Sequence, residues 1–237
     1  MKLTYIRWSM TVIETSGVTI VTDPVFHLLG LFSQAPRSYT IELMPRPDLV
    51  FVSHTHVDHF EPAVLQRLPE GTPVWMPDTH WQKAAGLGLQ GLTGLHAWET
   101  RQLGSLRLTA VPAMHKGGEL GLVIEGDRTV YFAGDTSLDR DLFRSIGQRW
   151  HLDAVLLPIG DLRSMGLSFK HMGPAKAAEA LRLLGEPRFV VPTHYSGQTL
   201  GPLLYFRGTP RKLSQAIFEA GLGTVVGTTR PLEMVEI

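Results

Sequence analysis

The apolar strands of this chain limit its fold more than any other feature. The segment Asp48 to Ser53 (DLVFVS) has an uninterrupted apolar centre, and such a strand suits burial on both faces of a sheet. Further strands are predicted at Tyr5–Glu14, Thr19–Thr22, Pro73–Met76, Leu106–Pro112, Leu120–Glu125, Thr129–Ala133, Ala154–Pro158, Phe189–Pro192 and Thr224–Val226. Helices are predicted between them at Pro62–Leu68, Asp78–Ala85, Leu138–Ile146, Pro174–Leu184 and Arg211–Ala220. Strands that alternate with helices indicate an α/β architecture.

Two parts of the chain resemble each other weakly. A strand ending in Asp23 (TIVTDP) precedes DLVFVS, and a strand ending in Asp135 (TVYFAGD) precedes DAVLLPIGDL. Before the first of these strands, Ser16-Gly17 is predicted as the turn of a hairpin. The repeat predicts two similar β-rich halves packed face to face with helices outside, which is a four-layer αββα sandwich. No low-complexity linker separates the halves, so residues 1–237 are predicted to form a single domain.

The overall composition excludes some classes of protein. Lys+Arg and Asp+Glu both number 22, so the chain has no net positive charge with which to neutralise a nucleic-acid backbone, and no nucleic acid is expected as a partner. The chain has no cysteine, which excludes disulfides and thiolate metal sites. Its first residues lack the apolar core of a signal peptide, and no segment reaches the ~18 apolar residues of a membrane span. A cytoplasmic protein without a membrane span is therefore predicted.

The segment that follows the buried strand carries the strongest functional signal. It reads Ser53-His54-Thr55-His56-Val57-Asp58-His59, so four residues of metal-ligating type fall within six positions. Imidazole suits zinc and similar cations, and a carboxylate compensates part of their charge. A turn at this point can direct His54 and His56 to one ion while Asp58 and His59 reach a second. The segment therefore predicts a metal site.

Three later residues extend this set, each just after a predicted strand. His115 follows LTAVPAM, Asp135 follows TVYFAG and His194 follows FVVPT. Seven candidate ligands are too many for a single four-coordinate ion, so two divalent ions are predicted. Zinc is the favoured metal, with Mn²⁺ or Fe²⁺ as alternatives because all three accept nitrogen and oxygen ligands. Asp23 is predicted to orient a ligand histidine rather than to bind metal itself.

The His-x-His-x-Asp-His segment resembles the motif of the metallo-β-lactamase-fold hydrolase superfamily, and the resemblance extends from about Tyr5 to Tyr195. It implies one metal site formed by His54, His56 and His115. It implies a second site formed by Asp58, His59 and His194, with Asp135 bridging the two ions. An aspartate in place of cysteine at the bridging position, together with the missing secretion signal, argues against a true β-lactamase.

Several segments resemble one branch of that superfamily, which contains the ascorbate-6-phosphate lactonase and the N-acyl-phosphatidylethanolamine phospholipase D. They are TDPVF, DAVLLPIGDL, KHMGPAKAAEAL and VVPTHYSG. The resemblance implies that His171 lies at the mouth of the active site; the alternative is a residue that only bonds backbone at the start of a helix. Asp161, where the branch more usually has a small residue, is interpreted as a loop acid rather than a substrate contact.

The sequence of the first hairpin differs from that of the branch members. Its members commonly have Gly-His-Ser or Gly-His-Ala there, whereas this chain has Arg7-Trp8-Ser9-Met10. If the missing histidine contacts substrate in relatives, this protein handles a different substrate or uses Arg7 or Trp8 instead.

These features predict a metal-dependent hydrolase that uses a dinuclear metal-bound hydroxide to cleave a small-molecule ester, lactone or phosphoester. Asp58 and His171 are the predicted catalytic residues. The alternatives are a nuclease, for which basic arms are missing, and a non-hydrolytic oxidoreductase or metal sensor. A flavin domain, which the oxidoreductases of this fold usually carry, has no room in the chain. The sequence leaves the substrate and the oligomeric state open.

Overall fold

The structure, a computed structural model, describes residues 1–27, 39–115, 117–165, 167–168, 172–195, 201–203 and 205–237. This part of the chain forms seventeen strands and five α-helices. The strands are β1 (Lys2–Arg7), β2 (Met10–Thr15), β3 (Val18–Thr22), β4 (Leu49–Phe51), β5 (Pro73–Pro77), β6 (Gly91–Leu95), β7 (Thr100–Leu103), β8 (Leu106–Pro112), β9 (Leu120–Glu125), β10 (Thr129–Phe132), β11 (Ala154–Pro158), β12 (Leu162–Ser164), β13 (Leu167–Ser168), β14 (Phe189–Thr193), β15 (Tyr205–Phe206), β16 (Val225–Val226) and β17 (Glu233–Glu236). The helices are α1 (Pro62–Leu65), α2 (Trp81–Ala85), α3 (Arg140–Arg149), α4 (Pro174–Leu183) and α5 (Pro210–Glu219), with 3₁₀ turns at Ile41–Leu43, Asp78–His80 and Gly201–Leu203.

The helices begin where local chemistry favours a start. α1, α4 and α5 each have proline in the first turn, where its missing N–H costs no helical hydrogen bond. α3 is capped by Asp139, whose side chain accepts hydrogen bonds from the amides of Asp141 and Leu142. Among the described residues no helix combines the length and the apolar character needed to span a bilayer.

The strands form two large sheets of seven strands and one small sheet. The first sheet has the order β17-β1-β2-β3-β4-β5-β6, and the second has the order β16-β14-β11-β10-β9-β8-β7. In each sheet an antiparallel meander is followed by a parallel step, from β3 to β4 in one and from β10 to β11 in the other. The strands that form these two parallel steps, β3 with β4 and β10 with β11, are the corresponding strands of the predicted repeat.

Alternate side chains of the strands enter different layers. In β10, Val130 and Phe132 join the core between the two sheets, whereas Tyr131 points to the other face and packs in the cluster that contains Phe143 of α3. Helices α4 and α5 complete that outer cluster, while α1 and α2 cover the outer face of the first sheet. The architecture is therefore the predicted four-layer αββα sandwich; the prediction of a single domain stays a prediction.

Some predicted boundaries are wrong. Tyr5–Glu14 is two strands, because the chain turns at Trp8 (φ 49°) and Arg7 of β1 pairs with Met10 of β2. No glycine marks this turn, and the apolar alternation continues across it. The predicted helix Asp78–Ala85 begins with a 3₁₀ turn before α2, and α1 is shorter than predicted. The strands that sequence inspection missed are short or lie at sheet edges, namely β6, β7, β12, β13, β15 and β17.

Candidate metal centre

The seven predicted ligands lie at one end of the sandwich, where loops follow β4, β8, β10 and β14. The carboxyl ends of parallel strands share one edge of a sheet, which is where open α/β sheets place their ligand sites. The side chains form two groups, and within each group the ligand atoms lie within 4.8 Å of one another. The first group is His54, His56 and His115, and the second is Asp58, His59, Asp135 and His194.

The first group consists of histidines only. His54 Nε2 lies 2.8 Å from His56 Nδ1, and His115 Nε2 lies 3.3 Å from the same His56 atom. Nitrogens bound about 2.0–2.1 Å from a tetrahedral ion are roughly 3.4 Å apart, so these three atoms are spaced for one ion. His54 is fully buried, whereas His56 is exposed, so this group is open on the His56 side.

The second group is arranged around one oxygen of Asp135. Asp135 Oδ2 lies 3.2 Å from His59 Nε2 and 3.1 Å from His194 Nε2, and Asp58 Oδ2 lies 3.2 Å from the same His194 atom. The two groups adjoin, because the ring centroids of His54 and His59 are 4.2 Å apart. The side chain of Asp135 is only 3% exposed, whereas that of Asp58 is 22% exposed. Asp58 is thus the carboxylate of this group that reaches solvent.

Burial and charge give the two groups different protonation. Burial lowers the pKa of His54 to about 3 and that of His115 to about 4, so both imidazoles are neutral, which is the form that binds metal. Burial also opposes protonation of His194, but the carboxylates of Asp135 and Asp58 outweigh it and raise the pKa to about 9. Without a cation, the second group therefore compensates its carboxylate charge with protonated histidine.

Asp23 orients two of the candidate ligands, His59 by a direct hydrogen bond and His54 through Ser53. It is buried at the end of β3, and the Nδ1–H of His59 donates to its Oδ2 at 2.7 Å, which leaves Nε2 facing the second group. The amide and the hydroxyl of Ser53 donate to the two oxygens of Asp23 at 2.7 and 2.8 Å, and Ser53 Oγ lies 3.0 Å from His54 Nδ1. Asp23 therefore has the orienting position predicted for it.

Trp8, one of the two residues singled out in the first hairpin, contacts the second group. Its indole N–H donates to Asp58 Oδ2 at 2.7 Å, and its ring packs on His194 with centroids 4.0 Å apart. The amide of His194 donates in turn to the Trp8 carbonyl at 2.8 Å. Arg7 points elsewhere and donates to the carbonyls of Phe26 and Tyr39. Trp8, not Arg7, is therefore part of the centre.

Sequence reasoning missed Glu119. This carboxylate is 2% exposed and its Oε1 accepts a hydrogen bond from the Asp135 amide at 2.5 Å. Burial, followed by the nearby charge of Asp135, raises the pKa of Glu119 well above its usual range. It lies in a Gly-Gly-Glu-Leu segment that matches no ligand pattern, so only the tertiary structure connects it to the centre.

Two other predictions concern the rim of the centre. The carboxylate of Asp161 lies 3.3 Å from Arg163 Nε and 4.0 Å from Arg207 Nε, and its interpretation as a loop acid stays a prediction. His171 lies outside the described residues, and its role stays a prediction.

Comparisons with known proteins identify the class. Residues 18–195, more than half of the chain, match the family described as the beta-lactamase superfamily domain. A UPF0173 metal-dependent hydrolase of Rubrobacter xylanophilus is 32% identical, with 98% of this chain and 95% of that protein covered. A Methanopyrus kandleri protein of the same description is 29% identical over the full length of both chains. The protein is thus an enzyme of the metal-dependent hydrolase class. It belongs to the β-lactamase superfamily, and within it to the UPF0173 metal-dependent hydrolases.

Solved structures agree with this assignment. Igni18, a metallo hydrolase from Ignicoccus hospitalis, is 29% identical with a TM-score of 0.77, and 99% of this chain and 97% of that chain are covered. An isothiocyanate hydrolase from Delia radicum gut bacteria has a TM-score of 0.82 at 20% identity, with 100% and 99% covered. CmlA, a diiron β-hydroxylase from Streptomyces venezuelae, has a TM-score of 0.76 at 16% identity, with 100% and 54% covered. The last two share the fold alone, and the fold alone does not select a reaction.

Proposed function

We propose that this metal-dependent hydrolase binds two adjacent divalent ions and cleaves a small-molecule ester, lactone or phosphoester. The observation that carries the proposal is the pair of adjoining ligand groups, one of three histidines and one built around Asp135. His54, His56 and His115 would hold one ion, and Asp58, His59 and His194 the other. Asp135 would bridge them, because a shared carboxylate offsets the repulsion between two cations.

The donor set suits zinc, and it also accepts manganese or iron. Such ions, when bound, would lower the pKa of a coordinated water toward neutrality and so supply a nucleophile for attack on a carbonyl carbon or phosphorus. The ligand spacing described above supports this fit, since each group has its atoms at distances suited to one ion.

The remaining chemistry belongs to side chains of the protein. Asp58 reaches solvent and is held by the indole of Trp8, so it is placed to accept the proton that the water loses. Because His56 is exposed, a substrate would approach the centre from that side. His171 is proposed, from the sequence alone, to bind an anionic group of the substrate or to protonate the leaving group.

Metal analysis and a substrate panel test this proposal. Protein purified without chelator should contain about two metal ions per chain and should hydrolyse at least one member of a panel of phosphodiesters, lactones and thioesters. Asp135→Ala should lose activity and at least one metal ion while most of the fold is kept, because this strand-end side chain contributes little to the core. Asp141→Ala, which removes an exposed carboxylate of α3, serves as the control and should behave as wild type.

Two results would contradict the proposal. A firm limit of one metal ion under metal-replete conditions would exclude the dinuclear centre. Full activity with full metal content in Asp135→Ala would exclude Asp135 as the ligand that bridges the two ions. Oxygen consumption, measured on the same preparations, would instead favour an oxidoreductase.

A further inference from the structure

We infer that Glu119 is a positioning residue that holds the bridging ligand Asp135 and the buried histidine His54 in place for both ions. The inference rests on the dinuclear centre proposed above. Glu119 follows His115 by four residues in the loop between β8 and β9, and it would align one ligand from each of the two groups.

The side chain of Glu119 makes its polar contacts with the candidate ligands. Its Oε1 accepts the amide hydrogen bond of Asp135 at 2.5 Å and lies 3.5 Å from His54 Nδ1. Its side chain is fully buried, and Oε2 has no hydrogen-bond partner among the described residues. No Lys or Arg in the described part of the chain forms an ion pair with it. A carboxyl group buried without such a partner costs folding free energy even when it is protonated, so its presence favours a role in the centre over a role in the core.

The backbone beside Asp135 is shaped around this carboxylate. Gly134 has φ +62°, a left-handed conformation that glycine adopts without strain. A Cβ at Gly134 would lie 2.1 Å from Glu119 Oε1, too close for any side chain. The Ala133-Gly134-Asp135 turn therefore leaves room for the Glu119 oxygen and directs the next amide to it. The direction of that amide determines where the Asp135 side chain begins.

Glu119 complements Asp23, since the two carboxylates have different targets. Asp23 contacts His59 directly and His54 only through Ser53. Glu119 contacts the backbone of Asp135, and its Oε1 lies 3.5 Å from the same His54 Nδ1 that Ser53 Oγ contacts. Loss of a residue behind a metal ligand typically weakens metal affinity about 10–100-fold. The same range is expected when the acceptor of Glu119 is removed.

The test compares two substitutions at Glu119. Glu119→Gln keeps an oxygen that can accept the Asp135 amide, whereas Glu119→Met keeps the length of the side chain and removes the acceptor. Metal-free preparations of both are titrated with Zn²⁺ against a chromogenic chelator, and Co²⁺-loaded samples are examined by EPR for coupling between the two ions. Tyr131→Phe, which removes another buried polar group close to Glu119, is the matched control.

Glu119→Gln and Tyr131→Phe should bind both ions within about threefold of wild type, and Glu119→Met should bind at least one ion about 10–100-fold more weakly, with reduced Co²⁺–Co²⁺ coupling. Wild-type affinity in Glu119→Met, or equal losses in Gln and Met, would overturn the inference. Glu119→Leu replaces Glu119→Met if the latter does not fold. A wild-type protein that binds only one ion would refute the dinuclear proposal instead, and an undiminished affinity for that ion in Glu119→Met would then refute the positioning of His54 separately.

Discussion

At the scale of single residues, Trp8 sets this centre apart from the resembling branch, whose members commonly have Gly-His-Ser or Gly-His-Ala in the first hairpin. The backbone of Trp8 has a left-handed conformation. Its indole ring packs on His194, and the indole N–H donates a hydrogen bond to Asp58. Its ring also meets Phe206 edge-on at 5.4 Å, so the side chain is held on two sides. An aromatic ring in this place fills space that a smaller residue would leave open to solvent or substrate, while its N–H restrains the carboxylate proposed to accept a proton.

Trp8→Phe separates the hydrogen bond from the packing. Phenylalanine keeps an aromatic ring near His194 but cannot donate to Asp58, and a hydrogen bond to a charged group contributes about 1.5–3 kcal/mol. We expect kcat/KM to fall about 10–100-fold, since 1.4 kcal/mol corresponds to about tenfold, and Tm to fall by a few degrees because the folded state loses the same hydrogen bond. Trp75→Phe, the same change in the core between the sheets, should leave kcat/KM unaltered. Unchanged kinetics in Trp8→Phe would show that the indole N–H has no part in the reaction.

At the scale of elements, α3 shows how a local signal and tertiary packing share the stabilisation of one helix. Asp139 caps its first turn, and Phe143 and Ile146 bury its apolar face against the second sheet. The polar face remains in solvent, where Arg144 pairs with Asp141. The helix therefore depends on its cap at one end and on the sheet along its length, and it makes no contribution to the ligand groups.

Asp139→Ala should consequently affect stability alone. Removing the cap should lower the free energy of unfolding by about 0.5–2 kcal/mol, measured by urea denaturation. Metal content should not change. Asp141→Ala, in which the cap remains, should cost less, and a variant of Asp139 as stable as wild type would show that the two hydrogen bonds contribute nothing to the fold.

At the scale of the whole molecule, the ligand groups connect the two sheets. His54 and His56 follow β4 of the first sheet, whereas His115 follows β8 of the second. The second group is divided in the same way, with Asp58 and His59 from one sheet and Asp135 and His194 from the other. An ion in either group would therefore cross-link the two halves of the sandwich.

Removal of metal should then destabilise both halves of the sandwich. A ligand that binds only the folded state stabilises it by about 2.7 kcal/mol at a concentration of 100 Kd. We expect a chelator to lower Tm by several degrees and added Zn²⁺ to restore it, with a smaller shift in Asp135→Ala. Differential scanning fluorimetry measures both shifts, and a Tm that is insensitive to chelator and to metal would contradict the cross-link.

Sequence patterns alone predicted the αββα sandwich and the seven residues that the structure brings together, because the patterns on which these predictions rest are local. Strand periodicity, a run of histidines and polar residues at strand ends can each be recognised within a few positions. The turn at Trp8 was not predicted, because apolar alternation continues through it and no glycine interrupts it. The short edge strands were missed because their pairing, rather than their composition, defines them.

Only the tertiary structure placed Glu119 behind Asp135 and Trp8 against Asp58. Glu119 is 16 residues from Asp135 and Trp8 is 50 residues from Asp58, and neither pair has a spacing that a motif would reveal. Such contacts depend on the packing of two sheets against each other, which brings together side chains that no local pattern relates. The candidate ligands could therefore be predicted from the amino-acid sequence, whereas the residues that hold them in position became apparent only once the two sheets were packed together.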